Sequence, residues 1–187
     1  DEIPDMNPNE KTATAPGKVI LCGEHSVVYG HPAIAVPVSD MRARAHIRPS
    51  ETGRGLRLCA PDIQQTLRFQ DAPADHPLGK AVALLLDYLQ RPEPDAILTV
   101  TSDLPVAGGM GSGAAGTTAT IRALAAYWGV DLPPEDISDM TFEVEKIHHG
   151  TPSGIDNTVI AWEQPVYFVK GEPPETFGIG TPLQLLI

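Results

Sequence analysis

Four stretches of the 187-residue chain carry residue types at spacings that could do chemistry. The densest is Leu104–Trp128, LPVAGGMGSGAAGTTATIRALAAYW, in which five of the nine residues from Gly108 to Gly116 are glycine. None of the other four is larger than Met110, so a ligand can come close to the backbone. From Thr117 the apolar and small positions recur at Ile121, Leu124, Ala125 and Trp128, which is helical spacing, and Gly129 stops the run. A loop of this kind leading into a helix offers unpaired N–H groups and a positive dipole end, a setting for phosphate. The second stretch has Lys18 opening the apolar run KVILC, with Gly23-Glu24-His25 on a tight turn beyond it. The third is Glu145, beside rather than opposite the apolar stripe of a helix, where it could point along an interface toward a cleft. The fourth is HHGTPSGIDN, His148–Asn157, where Ser153 is placed to cap a helix and Asp156 falls in its first turn.

Each of these has a plainer explanation when taken alone. Glycines can serve close packing, a Lys at a strand end is usually solvated, a helix Glu is usually exposed, and an Asp in a first turn usually caps. The adjacent His148 and His149, with no third ligand nearby, read as structural. Gly111, Gly113 and Gly116 form a literal G-x-G-x-x-G, but the context is wrong for a dinucleotide fold. The strand-like run Ile97–Thr101 ends too early to turn into those glycines, and no second strand follows to deliver a ribose-binding acid. No G-x-x-x-x-G-K-[ST] occurs, so a nucleoside triphosphate would have to be held by a different kind of phosphate loop.

Composition narrows the partners. With 13 basic and 24 acidic side chains the net charge is −11, a poor match to nucleic acid or an anionic membrane surface. An anionic substrate would then need local help from helix ends, a Lys or a metal ion. Cys22 and Cys59 stand far apart in apolar surroundings without a C-x-x-C pattern, which reads as buried, reduced thiols of a cytoplasmic protein. No apolar run approaches the ~20 residues that span a bilayer, and no signal-peptide pattern opens the sequence.

The elements that must position these residues follow from periodicity. Residues 1–11 are acidic, polar and broken by Pro4 and Pro8, the composition of a loose arm. KVILC reads as a buried strand after a Pro16-Gly17 turn. Ala33–Val38 and Met41–Ile47 read as two more strands, the second with a solvated basic face of Arg42, Arg44 and His46. Leu56–Cys59 and Thr66–Phe69 suggest a hairpin, and Leu78–Leu89 a helix with a Pro-rich break after it. After Gly129 a helix is expected from about Glu135 to His149, burying Ile137, Met140, Val144 and Ile147. Val166–Val169 reads as a strand. Strands early and helices late make an α+β pattern. Leu183–Ile187 is still apolar at the last residue, which is read as the start of a continuation.

Three ordered motifs are APGKVILCGEHSVVYG at Ala15–Gly30, SDLPVAGGMGSGAAG at Ser102–Gly116 and HGTPSGIDN at His149–Asn157. Together they resemble the GHMP kinases, the superfamily of galactokinase, homoserine kinase, mevalonate kinase and phosphomevalonate kinase. The first and third look most like the mevalonate kinase branch. The resemblance covers nearly all of Thr12–Lys170. It implies a ribosomal S5-like α+β N-terminal domain over residues 12–182, with 183–187 leading toward a ferredoxin-like C-terminal domain missing from this chain. It implies transfer of the ATP γ-phosphate to the 5-hydroxyl of mevalonate with Mg²⁺, in the cytoplasm, on a small-molecule substrate without nucleic acid or membrane. Homodimer formation stays open. By motif position Asp156 and Lys18 would be catalytic, Asp156 taking or orienting the hydroxyl proton and Lys18 stabilising the developing alkoxide. Glu145 and Ser112 would hold the metal, and Glu24 and His25 the mevalonate. Ser102, Ala107, Gly108, Gly109, Met110, Gly111, Ser112 and Gly113 would hold the nucleotide.

The sequence departs from that pattern at three places. The usual G-L-G-S-S-A-A has Gly113 where its second Ser would give a hydroxyl to Mg²⁺. Ala107 stands where Gly is frequent, and Gly116 replaces a larger residue that can line the substrate pocket. Two other readings follow: a GHMP kinase with another acceptor, phosphomevalonate or a sugar, and a catalytically silent binding protein on the same fold.

Overall fold

The structure, a computed structural model, describes residues 9–105 and 108–181, and of residues 148 and 149 only the backbone. Most of the 1–11 arm, Ala107 of the glycine loop, the 183–187 continuation and the side chains of His148 and His149 lie outside the described residues.

The sheet is built around one long strand. β1 (Lys11–Cys22) pairs antiparallel with β2 (Ala33–Pro49). The far part of β2, from Ala43 to Pro49, pairs antiparallel with β5 (Ala96–Ser102), while its beginning, Ala33–Ala35, pairs with β6 (Val166–Phe168). A hairpin of β3 (Arg57–Ala60) and β4 (Gln65–Arg68) extends the sheet beyond β5, with β3 parallel to it, and β7 (Glu175–Thr176) borders β6. The order is β4-β3-β5-β2-β6-β7, with β1 on β2. The two strands expected over Ala33–Val38 and Met41–Ile47 are therefore one. Pro16-Gly17 is not a turn before a strand but a register break inside β1: Pro16 faces Arg42 and Gly17 faces Val38, so Ser39–Met41 stand out of register. A bulge tolerates the missing proline N–H and bends the strand.

Among the described residues four α-helices complete the fold, α1 (Pro77–Leu89), α2 (Ser112–Tyr127), α3 (Pro134–His149) and α4 (Ile155–Trp162). α2 lies across β1, β2 and β5 and also touches α1, α3 and α4. That placement explains its weak amphipathicity. Nearly every residue from Ala114 to Ala125 is buried, and most are Ala or Thr, small enough for close approach on several sides. The helix begins at Ser112 rather than near Thr117, so the last glycines of the loop form its first turns. Gly129, at φ +69°, does end it, with its N–H on the Ala126 carbonyl.

Three smaller expectations are also corrected. Arg42 is not a solvated face residue, because its guanidinium donates to Thr14 Oγ1 and to Glu163. Cys22 is exposed and Cys59 half-buried, because β1 carries its last residues out of the core; both are free thiols. Ile147 is only half-buried, at the end of the α3 stripe. Among the described residues no helix is long and apolar enough to cross a membrane.

Candidate active site

The bulge in β1 sets Lys18. A Cβ on Gly17 would lie 2.4 Å from Leu104 Cδ2 and 3.2 Å from the Met110 carbonyl oxygen, so the strand passes close to the segment before the glycine loop and a side chain there would push on it. Opposite Lys18 stands Pro37, which has no N–H, and the Lys18 N–H donates to the Met110 carbonyl at 2.9 Å. The loop is thereby tied to the strand. It then needs a left-handed residue to enter α2, which Gly111 supplies at φ +72°. A Cβ there would stand 2.9 Å from Ile160 Cδ1 and 3.1 Å from Lys18 Cγ, so the loop rests directly on the lysine stem.

The Lys18 ammonium reaches Asp156 Oδ1 at 3.0 Å, and Lys18 is only 7% exposed. Burying such a charge is costly unless an opposite charge meets it, and the first turn of α4 supplies that charge. Gly154, at φ +96°, starts that helix with its Cα facing Phe168 and Phe142, and Ser153 Oγ accepts a long bond from the Ile155 N–H. Glu145 is 5% exposed on α3. A Cβ on Gly113 would stand 3.3 Å from its Oε1, which puts the carboxylate against the first turn of α2.

Two cavities meet at these side chains. One of about 320 Å³ is bounded by Ile20, Glu24, Val28 and the Thr151–Asn157 turn. The other, of about 860 Å³, runs from the Gly109–Gly113 loop past Ser102 to the β3–β4 turn and the start of α1. Lys18, Glu145 and Asp156 line both. A small compartment and a large one thus share a wall of one ammonium and two carboxylates. The uncapped start of α2 opens on the large one, since no side chain caps it among the described residues. This arrangement can hold a polyanion on one side, a small hydroxylated molecule on the other, and a proton acceptor between them. Among the described residues no three His, Cys, Asp or Glu side chains converge as a metal site. A hard cation could still take Glu145 and Ser112 Oγ and complete its shell with phosphate oxygens and water, the usual habit of Mg²⁺.

The GHMP kinases N terminal domain family matches residues 77–163, which include the glycine loop, Glu145 and Asp156. The mevalonate kinase of Thermococcus sibiricus is 37% identical over 174 residues, 85% of this chain and 51% of that protein. The Methanococcus jannaschii mevalonate kinase structure superposes with a TM-score of 0.82 at 24% identity, covering 94% of this chain and 57% of that one. Residues 77–163 thus belong to the GHMP kinase N-terminal domain family. It spans about half the length of the curated relatives it matches. A Streptococcus pneumoniae phosphomevalonate kinase, solved with phosphomevalonate and AMPPNP, shares the fold at a TM-score of 0.74 and 20% identity, covering 85% of this chain and 49% of that one.

Within this GHMP kinase domain the sequence-derived candidates are sorted by position. Lys18, Glu24, Glu145 and Asp156 come together around the small cavity, and Ser102, Gly109, Gly111, Ser112 and Gly113 line the large one. His25 is exposed and borders neither cavity; it starts the short helical turn Ser26–Tyr29 without capping it. Gly108 is exposed and also away from both. Met110 points its side chain into the core and spends its carbonyl on Lys18, so it anchors the loop rather than facing a ligand.

The sequence reading missed the far wall of the large cavity. There Asp62, in the β3–β4 turn, accepts the Ser102 N–H at 2.7 Å and pins the turn to β5. His76 caps α1, its Nδ1 accepting the Gly79 N–H at 3.1 Å, and burial lowers its pKa below the usual 6.5. The readable signal was His76-Pro77 ahead of an apolar run, a helix start with Pro in its first turn.

Proposed function

We propose that this domain serves ATP-dependent phosphorylation of the 5-hydroxyl of mevalonate. The observation that carries the reading is the Lys18–Asp156 pair on the wall common to the two cavities. The triphosphate lies in the large cavity with its phosphates on the Gly109–Gly113 loop and the start of α2, and the alcohol lies in the small one beside Glu24. The acceptor oxygen attacks the γ-phosphorus from the Asp156 side. Its proton passes to the Asp156 carboxylate, the new P–O bond forms as the bond to the β-phosphate oxygen breaks, and ADP leaves. The Lys18 ammonium faces the negative charge that grows on the attacking oxygen. Glu145 and Ser112 would hold Mg²⁺, which when bound supplies positive charge to the phosphate oxygens. Such a reaction asks the protein for placement and charge neutralisation more than covalent chemistry.

The 37% identity to a mevalonate kinase supports mevalonate as acceptor. One observation favours a second reading: His25, the other half of the expected mevalonate pair, borders neither cavity, which leaves room for phosphomevalonate or a sugar. A coupled ADP-release assay on the full-length protein with mevalonate, phosphomevalonate, galactose and homoserine in parallel tests both. Turnover with mevalonate at the highest kcat/KM is expected. Higher turnover with another acceptor replaces mevalonate, and turnover with none refutes the kinase reading.

A further inference from the structure

Helix α3 has a second buried face that the apolar stripe does not account for. Ser138, Thr141 and Glu145 stand three and four residues apart, on one side of the helix, and all three are buried. Buried hydroxyls are destabilising unless they find partners. Thr141 Oγ1 meets Thr118 Oγ1 of α2 at 3.1 Å. Ser138 accepts twice from Asn157 Nδ2 of α4, at 2.9 Å on its Oγ and 3.2 Å on its carbonyl. Each bond thus joins α3 to a helix that carries site residues. α2 begins with Ser112 and Gly113, which line the large cavity, and Asn157 is the neighbour of Asp156 in the chain.

Apolar packing would hold these helices together but is non-directional, and it tolerates a small slide or rotation. A hydrogen bond weakens steeply once its length or angle is lost. Glu145 needs that exactness, because it lies where even a methyl group on Gly113 would come within 3.3 Å of its carboxylate. We infer that Thr118, Thr141, Ser138 and Asn157 are positioning residues, which fix the rotation and axial height of α3 and so set the Glu145 carboxylate for the metal–nucleotide complex. This rests on the kinase reading given above.

The test uses the full-length protein and the near-isosteric variants Thr118→Val, Thr141→Val and Ser138→Ala. Mn²⁺ binding in the presence of a non-hydrolysable ATP analogue is measured by electron paramagnetic resonance, beside the Mg²⁺ dependence of turnover and the thermal midpoint. Each variant is expected to weaken metal binding roughly three- to tenfold, less than the usual loss for a group bonded directly to a metal ligand. KM for the acceptor should change little. Thr118→Val with Thr141→Val should be no worse than either alone, because both remove the same contact. Thr141→Ser, which keeps the hydroxyl, should restore binding. Wild-type metal affinity in all three variants, with only the thermal midpoint lowered, overturns the inference and leaves the network a structural one. No metal–nucleotide binding by the wild type overturns the kinase reading and this inference together, so the two failures are distinguishable.

Discussion

The two ends of α4 treat charge in opposite ways. At its C-terminal end Glu163, in the left-handed conformation at φ +52°, accepts from both Arg42 and Arg122. Arg122 goes on to the carbonyls of Thr14 and Ala161, so two rigid guanidinium forks tie β1, β2, α2 and α4 at one point. At the N-terminal end Asp156 meets a single lysine, whose three donors sit on a rotatable ammonium. One end is clamped by geometry that leaves little freedom. The other keeps carboxylate lone pairs and ammonium protons facing two cavities. An eight-residue helix can be stable and still present a reactive first turn when its stability is secured at the far end.

The largest effect should come from the reactive end. Asp156→Asn keeps the shape and removes the proton acceptor, and turnover should fall about a thousandfold while nucleotide affinity stays near wild type. Single-turnover and binding measurements check this, and equal activity would remove Asp156 from the chemistry. Lys18→Met keeps the buried stem under Gly111 and deletes the charge; a loss of about a hundredfold in kcat, with the fold intact by circular dichroism, is expected. Glu145→Gln should raise the Mg²⁺ concentration for half-maximal rate about tenfold, read from a metal titration at fixed nucleotide. Glu163→Gln should do the reverse of all these, leaving turnover near wild type and lowering stability by about 1 kcal/mol in denaturant melts, since the cluster is partly exposed. If Glu163→Gln instead abolished turnover, the contrast between the two ends would collapse.

A third helix end gives the smallest effect and a pH signature. His76 caps α1 through an unprotonated Nδ1, and burial holds its folded pKa below 6.5. The unfolded chain therefore takes up the proton first. The stabilisation is fully present above about pH 6.5 and is lost as pH falls below that value toward the lower folded pKa. His76→Asn, which can still accept the Gly79 N–H, should keep most of the stability at pH 8 and flatten its decline between pH 7 and 5, as measured by urea midpoints.

The motif residues were legible in the sequence because their chemistry is local. A glycine run before a helix, a lysine before an apolar run and an aspartate after Gly154 mark candidate positions by type and spacing, and only the resemblance of the three motifs together gave them roles. The α+β class and most elements followed from periodicity for the same reason. The failures share one physical cause, long-range contact. Arg42 looked solvated because Glu163 is remote in the chain, and the start of α2 was misplaced because packing on several sides erased its amphipathic pattern. His76 and Asp62 could be placed in a cavity wall only once β3, β4 and α1 were brought beside the glycine loop. The polar face of α3 was hidden by the stronger apolar stripe next to it, since Ser138 and Thr141 acquire meaning only from Asn157 and Thr118.

The Lys18 amide and the Met110 carbonyl are a single link between strand and loop. A shift of the glycines is therefore felt at the backbone of Lys18, six bonds from its ammonium, and again where Gly111 rests on the lysine stem. Under the kinase reading, the loop that would carry the nucleotide and the lysine that would face the acceptor thus hang from one attachment.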